Sequence, residues 1–165
     1  MLSIRRFPDA ILKRPTQPVP RVTKPVKKLI DLMVRAMQHH PRCVGLAAPQ
    51  IGSSLRIAVL DSSRHPKSLQ SQGLVVLVNP ELEAVEGRTV QREGCLSIPD
   101  FTADVARSTR VRVRAFDEFG SLRAWTFEGF EAIIAQHEID HLDGTLFLDR
   151  VANLTTDVFP RKQYR

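Results

Sequence analysis

Hydrophobic residues between positions 23 and 41 recur at the spacing of an α-helix. The apolar stripe consists of Val26, Leu29, Ile30, Met33 and Met37. Thr23 and Pro25 form a typical helix start, and Pro41 is a typical stop. Because a surface helix buries such a stripe against the core, we assign this N-terminal helix a packing role.

Several shorter segments predict strands joined by polar connections. The predicted strands are residues 55–59, residues 74–78 just before Asn79 and Pro80, a stretch in which Val111 and Val113 alternate with arginines, and residues 122–127. Residues 62–72 are polar and predict a loop, and residues 117–120 predict a turn. We expect these strands to pair mostly in antiparallel fashion.

A second helical pattern, nearer the C-terminus, is apolar on more than one side. One stripe carries Phe130, Ile133, Ile134, His137 and His141, and further apolar surface comes from Ala132, Ala135, Ile139 and Leu142. Gly144 lies where this helix is expected to end. Because a helix that is apolar all round is buried, the two histidines are expected to point into a core.

His137 and His141 lie four residues apart, so one face of the helix presents both imidazoles. Two adjacent buried imidazoles satisfy each other poorly unless they share a metal ion. Glu138 follows the first histidine and can reach a metal-bound water without ligating the metal. The helix therefore predicts a metal site with a carboxylate beside it.

A tetrahedral catalytic site needs a third protein ligand and leaves its fourth position for water. No Glu follows Glu138 and no His follows His141. The aspartates further on, which are Asp143, Asp149 and Asp157, match no ligand spacing. The ligand is therefore expected upstream, where the residues alone leave five candidates: His39, His40, Cys43, His65 and Cys95.

Three separated segments resemble the motifs of the peptide deformylase family. They are residues 44–50 (Val-Gly-Leu-Ala-Ala-Pro-Gln), residues 93–97 (Glu-Gly-Cys-Leu-Ser) and residues 136–141 (Gln-His-Glu-Ile-Asp-His), the last continued by Leu142, Asp143 and Gly144. Residues 6–12 are also similar to the N-terminal segment of that family. The resemblance covers the chain from about residue 5 to about residue 150.

The resemblance implies a role for individual residues. The implied metal ligands are Cys95, His137 and His141. Glu138 becomes the general acid and base, acting with a metal-bound hydroxide nucleophile. The side chain of Gln50 and the backbone N–H of Leu96 become the donors to the oxyanion.

The same resemblance implies a substrate pocket and a brace for the ligands. Val44, Gly45, Phe130 and Ile133 would help to form the pocket for the substrate methionine. Glu93 and Arg107 would pair beside the metal and support the cysteine segment.

The implied reaction is hydrolysis of the N-terminal formyl group from formyl-methionine of newly synthesised polypeptides, which releases formate. A thiolate with two imidazoles suits Zn(II) or Fe(II). The family implies one divalent metal per chain, Fe(II) in the cell, with Zn(II), Ni(II) or Co(II) as substitutes. Two other classes stay open from the residues: a metallopeptidase, which the missing downstream ligand disfavours, and a non-catalytic metal-binding module.

Three positions depart from the family pattern. Cys43 stands where the family usually has glycine, and a side chain there could narrow the substrate cleft. Thr102 stands where some members have a basic residue. The segment before Arg107 reads Val105-Ala106 where Val-Pro is common.

Composition limits the number of domains, the possibility of a membrane span and the compartment. With 165 residues, 42% of them hydrophobic and 25% charged, the chain is typical of a globular domain, and we expect a single domain over residues 1–165. No apolar run approaches the roughly 18 residues of a membrane span. The absence of a signal-like start and the two cysteines favour the reducing cytoplasm.

The net charge of +6 and the pI of 9.9 raise the question of a nucleic-acid partner. The basic residues are spread along the chain, and aromatic residues make up only 6% of it. A solvated basic surface is therefore favoured over weak attraction to ribosomal RNA, and the oligomeric state stays open. Together, the patterns predict an α+β fold in which an N-terminal helix and mostly antiparallel strands pack around a buried metal-binding helix.

Overall fold

The strands of the chain form two antiparallel sheets, seen in a computed structural model that describes residues 3–162. The elements, in chain order, are α1 (Lys24–His39), β1 (Gly45–Ala47), β2 (Ile57–Leu60), β3 (Val75–Glu86), β4 (Thr89–Cys95), β5 (Ile98–Arg107), β6 (Arg110–Phe116), β7 (Leu122–Glu128), α2 (Gly129–Leu142) and β8 (Val158–Pro160). Short 3-10 helices lie at Ala10–Lys13, Ala48–Ile51 and Phe147–Arg150. The larger sheet has the order β1-β2-β3-β6-β7, and the smaller one has the order β4-β5-β8.

The larger sheet is covered on both faces where β2 and β3 run side by side. Val76 and Val78 belong to the core cluster that contains the apolar stripe of α1. Val75 and Leu77, which point the other way, pack in the cluster that contains α2. Because successive side chains of a strand alternate between faces, two helices can bury all four residues. This explains why the segment is uniformly apolar rather than alternating.

Strand β6 has one buried face and one charged face. Val111, Val113 and Ala115 are buried toward α2. The arginines between them lie on the exposed face and pair with glutamates of β3 and β7: Arg110 with Glu86 and Glu128, Arg112 with Glu83, and Arg114 with Glu81 and Glu83. The basic residues of this strand are therefore compensated across the sheet.

Helix α2 is the buried element on which the site is built. Its buried residues occupy more than one side of the axis, as the apolar pattern predicted. The helix ends at Leu142, and Gly144 follows with a left-handed φ of 74°. Near this end, Leu142 accepts a hydrogen bond from the backbone N–H of Thr16 at 2.8 Å, which joins the N-terminal segment to the helix.

The predicted α+β fold with its N-terminal helix, antiparallel strands and buried second helix is confirmed. One expectation on element bounds was wrong. The strand expected to end at residue 78 continues to Glu86, because Asn79 adopts a positive φ of 53° at an irregularity and the strand resumes its pairing with β6. The amide of Asn79 also bonds both backbone groups of Val19, at 2.7 and 2.8 Å, which holds this irregularity in place.

The segment after Val151 also forms structure that the sequence did not predict. Its strand β8 pairs with β5, with Phe101, Thr102 and Ala103 opposite Pro160, Phe159 and Val158. The pairing brings the C-terminal segment to the side of the molecule where β4 ends at Cys95.

Within residues 3–162, no helix has both the length and the apolar character needed to cross a bilayer.

We predict that Gly144→Ala destabilises the fold far more than Gly73→Ala. Both glycines have nearly the same positive φ, 74° and 73°, so both variants carry a backbone strain of roughly 1–2 kcal/mol. At Gly144 a Cβ would also lie 2.9 Å from backbone atoms of Lys13 and Arg14, whereas at Gly73 nothing lies within 4 Å. Urea unfolding of both variants measures the difference, and equal losses would contradict the packing argument.

Candidate metal centre

Three side chains converge between the end of β4 and one face of α2. The donor atoms of Cys95, His137 and His141 all lie within 4.8 Å of one another. Cys95 Sγ is 3.2 Å from His141 Nε2, and the two imidazole centroids are 5.0 Å apart. Among the residues that the structure describes, this is the one cluster of three such side chains with metal-binding spacing. The four-residue spacing on α2 supplies two donors, and the smaller sheet supplies the third.

The imidazole of His137 is oriented by a carboxylate. Its Nδ1 lies 2.8 Å from Oε2 of Glu93. Because an ionised carboxylate only accepts hydrogen bonds, this contact keeps a proton on Nδ1 and directs Nε2 toward Cys95. Burial alone would raise the pKa of Glu93, but hydrogen bonds from Arg107 and His137 outweigh it and hold that pKa at about 2.

Arg107 connects the support of His137 to a second carboxylate, Asp140, on α2. Its Nε and Nη2 donate to the two oxygens of Glu93 at 2.6 and 3.0 Å. Its Nη1 donates to Oδ2 of Asp140 at 2.6 Å, and the guanidinium of Arg150 also donates to Asp140, at 2.5 and 2.6 Å. Arg107, Glu93 and Asp140 are buried. The predicted pair of Glu93 and Arg107 is thus part of a larger ionic network.

Sequence reasoning did not find Asp140 or Arg150. Asp140 is adjacent to His141, so on a helix its side chain points about 100° away from that ligand and toward a different set of neighbours. The signal available in the sequence was a carboxylate within a helix predicted to be buried, since a buried carboxylate requires a cationic partner. The partner could not be chosen among the many arginines.

The electrostatics of the cluster suit a divalent metal. Burial opposes ionisation of Cys95, but His141 and His137 beside it hold the pKa of the thiol well below its usual range. A thiolate and two imidazoles form a donor set for borderline-soft ions. Oε2 of Glu138, buried nearby, has no hydrogen-bond partner among the described residues. A metal with a coordinated water would give that oxygen a partner, so the residues present fit the group.

Glu138 lies on the cleft side of the ligands and packs against Gly45. Burial is the largest influence on its carboxyl group and raises its pKa to about 7. A Cβ added to Gly45 would lie 2.8 Å from Cδ of Glu138. Glycine at position 45 is therefore required for the carboxyl group to occupy its present place.

Gln50 directs its amide nitrogen toward Cys95. Its Oε1 accepts from the backbone N–H of Ala47 at 3.0 Å, which fixes the orientation of the amide. Its Nε2 donates to Sγ of Cys95 at 3.4 Å and to Oγ of Ser97 at 3.2 Å. Leu96, half-buried between β4 and β5, lines the cleft directly after the cysteine.

A cavity of about 340 Å³ opens beside these groups. Its apolar wall is formed by Val44, Phe130, Ile133 and Ile134, and Gly45 forms part of its floor. The structure thus brings the four predicted pocket residues together with Glu138, Gln50 and Cys95 in one cleft.

The other upstream candidates for the third ligand lie outside the cluster. His39 and His40 contact each other at the end of α1, with centroids 5.8 Å apart. His65 stacks on Phe130 at 4.5 Å. Cys43 lines the cleft, where its Sγ donates to the carbonyl of Gly45 at 3.1 Å, and burial raises the pKa of its thiol to about 12.

One wall of the cleft is a loop anchored to α2. Oε1 of Glu131, buried on the helix, accepts from Ser62 Oγ at 2.9 Å, Ser71 Oγ at 3.2 Å and the backbone N–H of Gln72 at 3.0 Å. Residues 61–73, which we call the rim loop, have little regular structure of their own. The predicted polar loop is therefore fixed by a carboxyl group that sequence reasoning left unassigned.

A buried thiolate and two imidazoles, with a carboxyl group and an amide donor at an apolar cleft, define a metal-dependent hydrolase. Comparison with known proteins specifies the class. A family model described as polypeptide deformylase matches residues 1–157, and the chain belongs to the peptide deformylase family.

Individual relatives agree with this assignment. A peptide deformylase of Mesorhizobium japonicum is 44% identical over 157 residues, which cover 94% of this chain and 87% of that protein. A crystal structure of a peptide deformylase from Legionella pneumophila matches with a TM-score of 0.83 at 40% identity, covering 92% of this chain and 86% of that one. A peptide deformylase from Acinetobacter baumannii, solved with Met-Ala-Ser bound, matches with a TM-score of 0.84 at 34% identity, covering 92% and 99%.

We predict that Cys95→Ser sharply lowers metal content, whereas Cys43→Ser leaves it unchanged. A serine hydroxyl does not ionise near neutral pH, so the first variant loses an anionic soft donor. At position 43 a hydroxyl can still donate to the carbonyl of Gly45, which makes this variant a matched control. Elemental analysis after dialysis gives the metal per chain. Loss of metal from Cys43→Ser alone would reverse the assignment.

We further predict that Arg107→Met destabilises the protein by roughly 3–5 kcal/mol, because it strands the buried carboxylates of Glu93 and Asp140 without their shared cation. Arg112→Met removes an arginine paired with Glu83 at the surface and serves as the control, with a much smaller loss. Chemical denaturation of both variants measures the difference. Similar losses would show that the buried network does not depend on Arg107.

Proposed function

We propose that this protein removes the N-terminal formyl group from formyl-methionine of newly synthesised polypeptides and releases formate. One observation carries the proposal: Cys95, His137 and His141 meet Glu138 and Gln50 at a single apolar cleft, in a chain of the peptide deformylase family. Hydrolysis of an amide requires a nucleophile, a proton acceptor and a stabiliser of the oxyanion, and these residues can supply all three functions.

Cys95, His137 and His141 would hold one divalent metal. Bound there, the metal would supply a water of lowered pKa and a Lewis acid for the formyl oxygen. Fe(II) is proposed for the cell on the family resemblance, with Zn(II), Ni(II) or Co(II) as substitutes. The donor set supports each of these ions, since imidazole and thiolate bind all of them.

Glu138 would move the proton during the reaction. Its Oε2 is buried without a partner among the described residues, so it is available to accept a proton from the attacking water. The same carboxyl group can then deliver that proton to the departing amine of methionine. The apolar wall around it limits competing exchange with solvent.

Gln50 and Leu96 would stabilise the negative charge that develops on the formyl oxygen. The hydrogen bond from Ala47 to Oε1 of Gln50 keeps the amide nitrogen directed at the cleft before substrate arrives. One of its bonds to Cys95 and Ser97 would be exchanged for a bond to the oxyanion, while the amide itself stays in place. One such donor is typically worth roughly 3 kcal/mol. The backbone N–H of Leu96 is proposed as the second donor.

The substrate methionine would occupy the apolar part of the cavity. Val44, Gly45, Phe130 and Ile133 line it, and an unbranched thioether side chain suits such a slot. The Acinetobacter relative was solved with the tripeptide Met-Ala-Ser bound, which supports a methionyl peptide as the ligand here.

Formate release from formyl-Met-Ala-Ser, compared with the unformylated peptide, tests the proposed activity. A deformylase releases formate from the first peptide and leaves its peptide bonds intact, a metallopeptidase cleaves both chains, and an inert metal-binding module does neither. Because the substrate is a nascent chain, we also propose a cytoplasmic location, which the two free cysteines support.

We predict that Glu138→Gln retains the metal and loses activity by about 10²–10⁴-fold, which is the usual contribution of general acid–base catalysis. The amide has nearly the same shape as the carboxyl group but cannot accept the proton. Formate release is measured together with metal content, so that a loss of metal is not mistaken for a loss of catalysis. Near wild-type turnover with full metal would remove Glu138 from this role.

Gly45→Ala is expected to lower activity by at least about tenfold while leaving metal content and folding intact, because misplacing a catalytic group by about 1 Å can have such an effect. The added methyl group would displace the carboxyl end of Glu138, which is flexible, rather than backbone. Gly73→Ala is a control for the added methyl group, since its Cβ meets nothing within 4 Å, although it also carries the strain of a positive φ that Gly45 lacks. Unchanged kcat in Gly45→Ala would contradict the close-packing argument.

A further inference from the structure

The mouth of the cleft is lined by cations from two separate parts of the chain. Lys67 of the rim loop lines one wall, with its Nζ 5.9 Å from the centroid of Phe130. Arg161, which directly follows β8, lines the cleft beside Gly94 and Cys95. Both side chains are exposed. Phe130 is a wall of the proposed methionine pocket, so Lys67 lies beside that pocket, and a polypeptide bound there would share the cleft with both cations.

Arg161 is held at the mouth by the backbone of the smaller sheet. Its own N–H donates to the carbonyl of Asp100 at 2.8 Å. Its Nη1 lies 3.5 Å from the carbonyl of Cys95, and its Nη2 is 3.2 Å from the place a Cβ would take at Gly94. The guanidinium therefore lies over the exposed Gly94, directly before the residue that provides the thiolate. A side chain at position 94 would compete with the guanidinium of Arg161 for this place.

No carboxylate neutralises these two cations within residues 3–162. Neither Lys67 nor Arg161 forms an ion pair with the described residues, whereas the neighbouring Arg92 is paired with Asp104 at 2.6 Å. The acidic residues that line the cleft are Glu93 and Glu138, and both are buried. The cleft thus presents two positive charges that no carboxylate of the described residues balances.

We propose that Lys67 and Arg161 determine substrate specificity: they favour polypeptides with an acidic side chain in the second or third position and disfavour lysine or arginine there. This inference rests on the proposed function, because it concerns the residues that follow formyl-methionine in that substrate. Both cations are exposed to solvent, so their interactions with the substrate are weak. We expect kcat/KM for an acidic peptide to exceed that for a basic peptide by about three- to tenfold, and we expect salt to reduce this difference.

The test uses C-terminally amidated formyl-Met tripeptides with Glu, Gln or Lys at position two or three. The expected order of kcat/KM is Glu above Gln above Lys at low ionic strength. Arg161→Gln and Lys67→Gln should each reduce the ratio of kcat/KM for the Glu peptide to kcat/KM for the Lys peptide. Arg161→Lys should retain the ratio. Arg88→Gln, which removes an exposed charge outside the cleft, should also retain it.

The proposal would be overturned if the unmodified enzyme had nearly equal kcat/KM for the Glu and Lys peptides. It would also be overturned if both variants left the ratio of these two values unchanged. An equal loss on all three peptides in Arg161→Gln would overturn it for that residue and make Arg161 a support of the Cys95 segment. Peptides with a free C-terminus are measured separately. A higher kcat/KM for the free Gln peptide than for the amidated one would show that the terminal carboxylate can also bind beside Lys67 and Arg161.

Calorimetry with the unformylated products measures the same preference without turnover. If no peptide released formate, the proposed activity would be wrong, and tighter binding of the Glu product than the Lys product would still decide the inference in its favour. Equal affinities for both products would decide against it.

Discussion

The site depends on one buried cation, the guanidinium of Arg107. It lies at the end of β5 and bonds Glu93 of β4 on one side and Asp140 of α2 on the other. Glu93 in turn orients the imidazole of His137. A metal ligand on the helix is therefore fixed relative to the strand that carries Cys95 by a chain of charge-assisted hydrogen bonds. Apolar packing alone could hold the helix near the sheet, but it could not orient one ring nitrogen.

Helix α2 contains several acidic residues although it is buried. The helix is buried on several sides, yet it contains Glu131, Glu138 and Asp140 among its apolar residues. Each carboxyl group has a different environment: Glu131 accepts bonds from the rim loop, Asp140 lies between two arginines, and one oxygen of Glu138 has no partner among the described residues. Since unpaired buried carboxyl groups are costly, the third environment is the one on which the proposed catalytic role of Glu138 is based.

Local patterns were sufficient to predict the elements that follow from short-range rules. The stripe of α1, the two histidines of α2 and the break at Gly144 depend on helix periodicity and on backbone conformation. The choice of Cys95 as third ligand required the family resemblance, because the residues alone left five candidates. Features that depend on distant partners were not predicted: β8 pairs with β5 through a register that the sequence does not reveal, and β3 resumes beyond Asn79 because β6 lies beside it. The basic composition was equally uninformative until the glutamates opposite Arg110, Arg112 and Arg114 were located.

The anchoring of the rim loop to Glu131 has a consequence for how the protein opens. A polar loop without regular structure would ordinarily fluctuate independently of the core, and its amides would exchange rapidly with solvent. Here Ser62, Ser71 and Gln72 share one acceptor that is itself buried on α2. Releasing the loop leaves that acceptor without its partners in the interior, so the free energy of opening the loop includes part of the stability of the helix. The wall of the cleft and the carrier of the metal ligands thus belong to one cooperative unit, although they share no sheet and no helix.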